Sequence, residues 1–129
     1  MSDATTPRVL VIDDSAIVRR YVREALERAH FVVEEAHNGV EAMERTLAQP
    51  FDLLLVDVNM PKMDGYTFLR ALRGREADVA SIPALMTSTE TGPQDIDAAY
   101  AAGANYYLVK PFAQDDLVLH ARVMTGRSP

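Results

Sequence analysis

The sequence predicts an α/β domain, a doubly wound sheet of five parallel strands covered by five helices. Two observations predict it. Short runs of β-branched and leucine residues recur along the chain, too short for helices and apolar throughout, as in strands buried on both faces. Between them lie longer stretches whose apolar residues fall at helical spacing among arginines and glutamates.

Taken in order, Arg8 to Ile12 is the first such strand, closed by Asp13 and Asp14. Ser15 to Ala29 is the first helix, with Ile17, Val18, Tyr21, Val22, Ala25 and Leu26 as its apolar set. Phe31 to Val33 is a short second strand. Asn38-Gly39 opens a helix expected to bury Val40, Met43 and Leu47 before Pro50 ends it. Leu53 to Val56 is the third strand and runs into Asp57. The stretch Asn59 to Gly65 has the Pro and Gly punctuation of a loop. A third helix covers Tyr66 to Leu72, a fourth strand Ile82 to Thr87, and a fourth helix Pro93 to Ala102. Gly103 stands where a left-handed helix cap belongs. Asn105 to Val109 and Phe112 to Met124 complete the alternation.

The bounds set by composition agree with one domain. A chain of 129 residues without cysteine can bury roughly two thirds of its unfolded surface and needs no disulfide. The organisation expected is an N-terminal tail over 1–7, a domain over 8–125 and a C-terminal tail over 126–129. No apolar run is long enough to span a bilayer and no leader pattern follows Met1, so a cytoplasmic chain without membrane contact is expected. A formal charge of −6 argues against a general nucleic-acid binder, because phosphate backbones would be repelled.

In a parallel α/β sheet, function gathers at the carboxyl ends of the strands. Asp13 and Asp14 follow the first strand, Asp57 ends the third, the fourth ends near Ser88 with Thr87 and Thr89 on either side leaving the inward hydroxyl open, and Lys110-Pro111 follows the fifth. Each alone has a bland reading as a helix cap or a solvated charge. Their joint placement on one rim does not. Clustered carboxylates call for a cation, and oxygen donors suit Mg²⁺. A carboxylate can also attack phosphorus, with an ammonium and a hydroxyl positioned to steady the phosphoryl oxygens. The histidines His30, His37 and His120 fall away from this rim and are read as ordinary surface or boundary residues.

The blocks Val9–Ser15, Asp57–Gly65 and Ala101–Phe112 resemble the three signatures of response-regulator receiver domains, and the resemblance spans about Arg8 to Met124. It implies a CheY-like, flavodoxin-like sheet of order 2-1-3-4-5. It also implies a two-component signalling role, in which Asp57 accepts a phosphoryl group from a sensor histidine kinase or a histidine phosphotransfer protein. Asp14, Asp57 and the carbonyl of Asn59 would bind Mg²⁺ directly, and Asp13 through water. Ser88 and Tyr107 would be the switch pair, the Tyr107 ring turning inward as Ser88 moves toward the phosphoryl group. Lys110 would be aimed into the site by a cis bond to Pro111. Asn59 and Glu90 would tune hydrolysis, giving a phosphoryl lifetime of seconds to minutes.

The same resemblance implies a switch with self-phosphorylation from small donors and autodephosphorylation, not an enzyme acting on a separate substrate. Output would pass to a downstream protein target through the fourth helix, fifth strand and fifth helix, with Tyr100, Tyr106 or Tyr107, Gln114, Asp115 and Asp116 on that face. The donor would dock near Ile17, Val18 and Tyr21, where Arg19, Arg20 and Arg23 could assist. A monomer without an output domain is expected. Three other readings compete. A flavodoxin-like cofactor binder lacks its phosphate cradle, because Asp13-Asp14 would repel phosphate. A phosphatase of the haloacid dehalogenase type needs two aspartates separated by one residue. A pseudo-receiver docking module would work without phosphorylation.

Overall fold

The computed structural model describes residues 6–127. Its elements are β1 (Arg8–Ile12), α1 (Ala16–Arg28), β2 (Val32–Ala36), α2 (Gly39–Ala48), β3 (Leu53–Asp57), α3 (Gly65–Arg73), α4 (Ala77–Ala80), β4 (Ala84–Ser88), α5 (Pro93–Ala102), β5 (Tyr106–Val109) and α6 (Gln114–Met124). The five strands are all parallel and run in the order β2-β1-β3-β4-β5. The tail expected over 1–7 lies mostly outside the described residues, as does the end of that expected over 126–129.

Strand alternation divides the apolar runs between two faces. Leu10, Ile12, Leu54, Val56 and Met86 face α3 and α5, where Phe68, Leu69, Leu72, Ala99 and Ala102 meet them. Val9, Val11, Leu53, Leu55 and Leu85 face α1 and α6 and pack on Val22, Ala25, Leu26, Leu117 and Ala121. This two-sided burial is why β1, β3 and β4 read as unbroken apolar runs. The chain winds from β1 to β2 on one side and then to β3 on the other. That reversal opens the crevice between the carboxyl ends of β1 and β3.

Local chemistry sets the helix starts. The side chains of Ser15, Asn38 and Asp64 accept from the backbone N–H of Val18, Glu41 and Thr67, each satisfying a first-turn donor. Gly103 caps α5 at φ 113°, in the left-handed region expected for it.

Three expectations need correction. The helices number six among the described residues, because a four-residue turn, α4, precedes β4. The second strand runs to Ala36, carrying Glu34 and Glu35 into the sheet. Their charges are matched across strands and helices: Arg8 and Arg45 pair with Glu34, Arg19 and Arg23 with Glu35. Of the apolar face expected for α2, Met43 packs against the core but Val40 and Leu47 do not. Ala42 and Thr46 are buried there, Met43 is half-buried, and Val40 and Leu47 are exposed.

Arg73, at the end of α3, was not anticipated at all. Its guanidinium donates to the carbonyls of Gly103, Ala80 and Ile82 and to Asn105 Oδ1, at 2.6–3.0 Å. Asn105 Oδ1 also accepts from the N–H of Ala84. One cation thus ties the ends of α3, α4 and α5 to the start of β4.

Candidate acidic site at the carboxyl rim

The rim gathers the predicted residues. Asp13 and Asp57 are nearly sealed from solvent, at 4% and 5% exposure, and Asp14 is exposed. One carboxylate oxygen from each of the three lies within 4.8 Å of the others. Lys110 Nζ reaches in from the end of β5 and donates to Asp13 Oδ2 at 2.9 Å and to Asp57 Oδ1 at 3.1 Å. Residues 97 and 53 positions from Lys110 are thereby joined through one ammonium. The Lys110–Pro111 bond is cis.

The surrounding backbone holds these groups. Asp13 Oδ1 accepts from the N–H of Ser15, and the Asp13 N–H donates to Ala36 O. Arg19 Nη1 donates to Asp13 O at 2.6 Å, while its Nε pairs with Glu35 at 2.8 Å. Arg19 was expected on an exposed docking face; at 8% exposure it is instead an internal brace of the acidic loop. Its side chain begins on α1 only four residues past the Ser15 cap, close enough to turn back under Asp13. On the far side, Gly65 lets α3 start against the end of β3: its N–H donates to Val58 O.

Electrostatics follow from the charge count. Burial, and then the charge of Asp13, push the Asp57 carboxyl up to about 6, despite Lys110 and the Asn59 N–H pulling it down. Burial also opposes the Lys110 ammonium, but its hydrogen bonds to Asp13 and Asp57 and their charges outweigh this and hold its pKa above the usual value. Three carboxylates therefore face one ammonium, and Asp14 has no hydrogen bond or ion pair among the described residues. A hard divalent cation with oxygen preference fits that surplus of negative charge and that donor set.

Ser88 ends β4 with 1% exposure, and Thr87 beside it is also buried. Ser88 Oγ accepts from the Glu90 N–H at 3.0 Å, and Ser88 O accepts from the Lys110 N–H at 2.7 Å. Tyr107 is buried, its hydroxyl donating to Glu90 O at 2.9 Å. Its neighbour Tyr106 is exposed and stacks on His120, with ring centroids 4.4 Å apart. Asn59 and Glu90 are both exposed. An apolar groove beside the rim is lined by Ile17, Val18, Tyr21, Thr89, Pro111 and Phe112. Ile17 there is 82% exposed. No helix among the described residues is long and apolar enough to cross a membrane.

Comparison with known proteins agrees with this geometry. The model of the response regulator receiver domain matches residues 9–122. The chain is 33% identical over 128 residues to the transcriptional regulatory protein ResD of Bacillus subtilis, covering 99% of this chain and 52% of that protein. It is 37% identical over 121 residues to the response regulator MprA of Mycobacterium tuberculosis, covering 94% of this chain and 51% of MprA. The chain thus spans about half the length of the curated relatives it matches. Among solved structures, the chemotaxis protein CheY4 of Vibrio cholerae superposes with a TM-score of 0.87 at 36% identity, over 92% of this chain and 98% of that one. The receiver domain of a Francisella response regulator gives 0.87 at 25% identity, over 94% and 98%. Sequence blocks, sheet order and rim geometry converge, and the chain belongs to the response regulator receiver domain family.

Proposed function

We propose that this domain is a phosphorylatable switch in two-component signalling, with Asp57 as the acceptor. The observation that carries the reading is the Lys110 ammonium bridging buried Asp13 and Asp57 at the carboxyl rim. A carboxylate held in low dielectric beside a fixed ammonium is a nucleophile with a ready partner for developing phosphoryl charge.

In the reaction, an Asp57 carboxylate oxygen forms a bond to phosphorus of a phosphohistidine donor. The nitrogen–phosphorus bond breaks, and the departing imidazole keeps the nitrogen electron pair. Lys110, already 3.1 Å from Asp57 Oδ1, offsets the added charge. Asp14, Asp57 and the Asn59 carbonyl would hold Mg²⁺, with Asp13 beside them, and the ion would supply charge neutralisation for the phosphoryl oxygens. Ser88 offers a hydroxyl from the end of β4. Asn59 and Glu90 are free to orient water for hydrolysis, so the domain gains and loses its own phosphoryl group and turns over no separate substrate.

The output face is read as α5, β5 and α6, because Glu90 links Ser88 and Tyr107 to the start of α5. The Tyr107 ring lies inward here, the position assigned to the switched form. The apolar groove beginning at Ile17 suits the donor, since it opens beside the acceptor. The charge of −6 favours a downstream protein as partner of this domain over nucleic acid. Acetyl phosphate with Mg²⁺ should yield a phosphoryl adduct that hydroxylamine removes, as it does acyl phosphates. An adduct stable to hydroxylamine, or one retained in Asp57→Asn, would place the chemistry elsewhere.

A further inference from the structure

The helix α5 is weakly held. Only Ala99 and Ala102 of its ten residues are buried, so little apolar surface fixes it to the sheet. Polar tethers to its backbone therefore carry unusual weight. At its carboxyl end, Arg73 donates twice to Gly103 O. At its amino end, the Tyr66 hydroxyl donates to Asp95 O at 3.1 Å. Both tethers come from α3, seven residues and thus two helical turns apart, so they project from one face of that helix.

The amino-end tether lies next to the switch residues. Tyr107 donates to Glu90 O, and Glu90 N–H donates to Ser88 Oγ. Asp95 N–H and Ile96 N–H donate to Gly92 O, making Asp95 part of the same short run as Glu90. Tyr66 and Tyr107 also share one hydrophobic cluster with Ala99 and Ile96. Burial raises the Tyr66 pKa, with smaller pushes from Tyr107, Asp95, Asp64 and Glu90, so the hydroxyl stays a donor at physiological pH.

We propose that Tyr66 is a positioning residue for the switch: its hydroxyl pins the first turn of α5 in the arrangement where Tyr107 lies inward. Two tyrosines then hold Glu90–Asp95 as one unit, one at each end. Arg73 fixes the other end of α5 and serves as the pivot, because its charge-assisted bonds are several and stronger than a single neutral one. The inference rests on the phosphorylation reading for its consequence, but the tether itself does not.

The test uses the full chain as wild type, Tyr66→Phe, Tyr107→Phe and the double variant. Phenylalanine keeps the ring packing and removes only the hydroxyl. Hydrogen exchange is measured first, without ligand. Tyr66→Phe should speed exchange of the 92–97 amides about three- to tenfold and leave those of 103–106 unchanged. Binding of beryllofluoride with Mg²⁺, a phosphoryl mimic, is then titrated. Each single variant should bind about three- to tenfold more weakly, with the double variant weakened by less than the product of the two. Unchanged exchange at 92–97, unchanged or tighter binding in Tyr66→Phe, or fully multiplicative losses would overturn the proposal. Beryllofluoride failing to bind wild type would instead count against the phosphorylation reading, and the exchange measurement would still decide the tether.

Discussion

A β-carbon placed on Gly65 would collide with the backbone carbonyl oxygen of Asp57 and stand 3.0 Å from the Cα of Val58. The start of α3 and the end of β3 are thus in backbone contact, possible only because residue 65 has no side chain.

From this contact, Gly65→Ala should destabilise the fold by about 1–3 kcal/mol, since backbone cannot move aside as a side-chain tip can. Thermal unfolding beside wild type checks this. An unchanged midpoint would mean that α3 shifts freely without disturbing Asp57.

Arg73→Met keeps much of the stem and deletes the guanidinium. The carbonyls of Gly103, Ala80 and Ile82 would lose their shared donor. A loss of about 2–3 kcal/mol is expected in urea unfolding, more than for an exposed arginine such as Arg20. Equal, small effects in both variants would show that water replaces Arg73 at no cost.

Asp57 makes metal-free stability depend on pH in a definite direction. Its folded pKa, about 6, lies above the ordinary value, so between the two the native state binds the extra proton. Stability from this group is therefore greatest at low pH and falls as pH rises through about 6. Asp57→Asn should stabilise the chelator-treated protein at pH 7.5 by an amount on the order of 2 kcal/mol, and by much less at pH 4.5. Urea midpoints of both proteins at the two pH values decide it; an equal difference at both would contradict the assignment.

Asn59 and Glu90 are exposed, each two residues past the proposed acceptor Asp57 and the proposed switch hydroxyl Ser88 respectively. The adduct on Asp57 is expected to decay with a half-life of seconds to minutes, measured by following its loss after removal of donor. Persistence for many hours would mean that neither side chain admits a competent water.

Most of the sheet was legible because β1, β3 and β4 are buried on both faces and carry no competing pattern. The placement of Asp13, Asp14, Asp57 and Lys110 followed from strand ends, whereas Ser88 was separated from Thr87 and Thr89 only by its spacing from Lys110 in the family resemblance. What could not be read depends on partners distant in sequence. Glu34 and Glu35 look like a loop until Arg8, Arg45, Arg19 and Arg23 are seen to neutralise them. Arg19 and Arg73 resemble solvated helix charges, and their acceptors are backbone carbonyls that leave no trace in composition. The exposure of Val40 and Leu47 turns the buried face of α2 partway from the one hydrophobicity indicated, onto Gly39, Ala42, Met43 and Thr46, since the small residues permit closer packing. The tyrosine pair 106–107 was ambiguous by type; alternation puts one in and one out, and the structure buries Tyr107.

Asp57 is expected to accept a phosphoryl group in a cation-dependent reaction. Intact mass after incubation with acetyl phosphate, with and without Mg²⁺ and beside Asp57→Asn, tests it most directly. A gain of one phosphoryl group that requires both Mg²⁺ and Asp57 is the predicted result. No gain, under conditions that label an established receiver, would contradict it and leave a docking domain in its place.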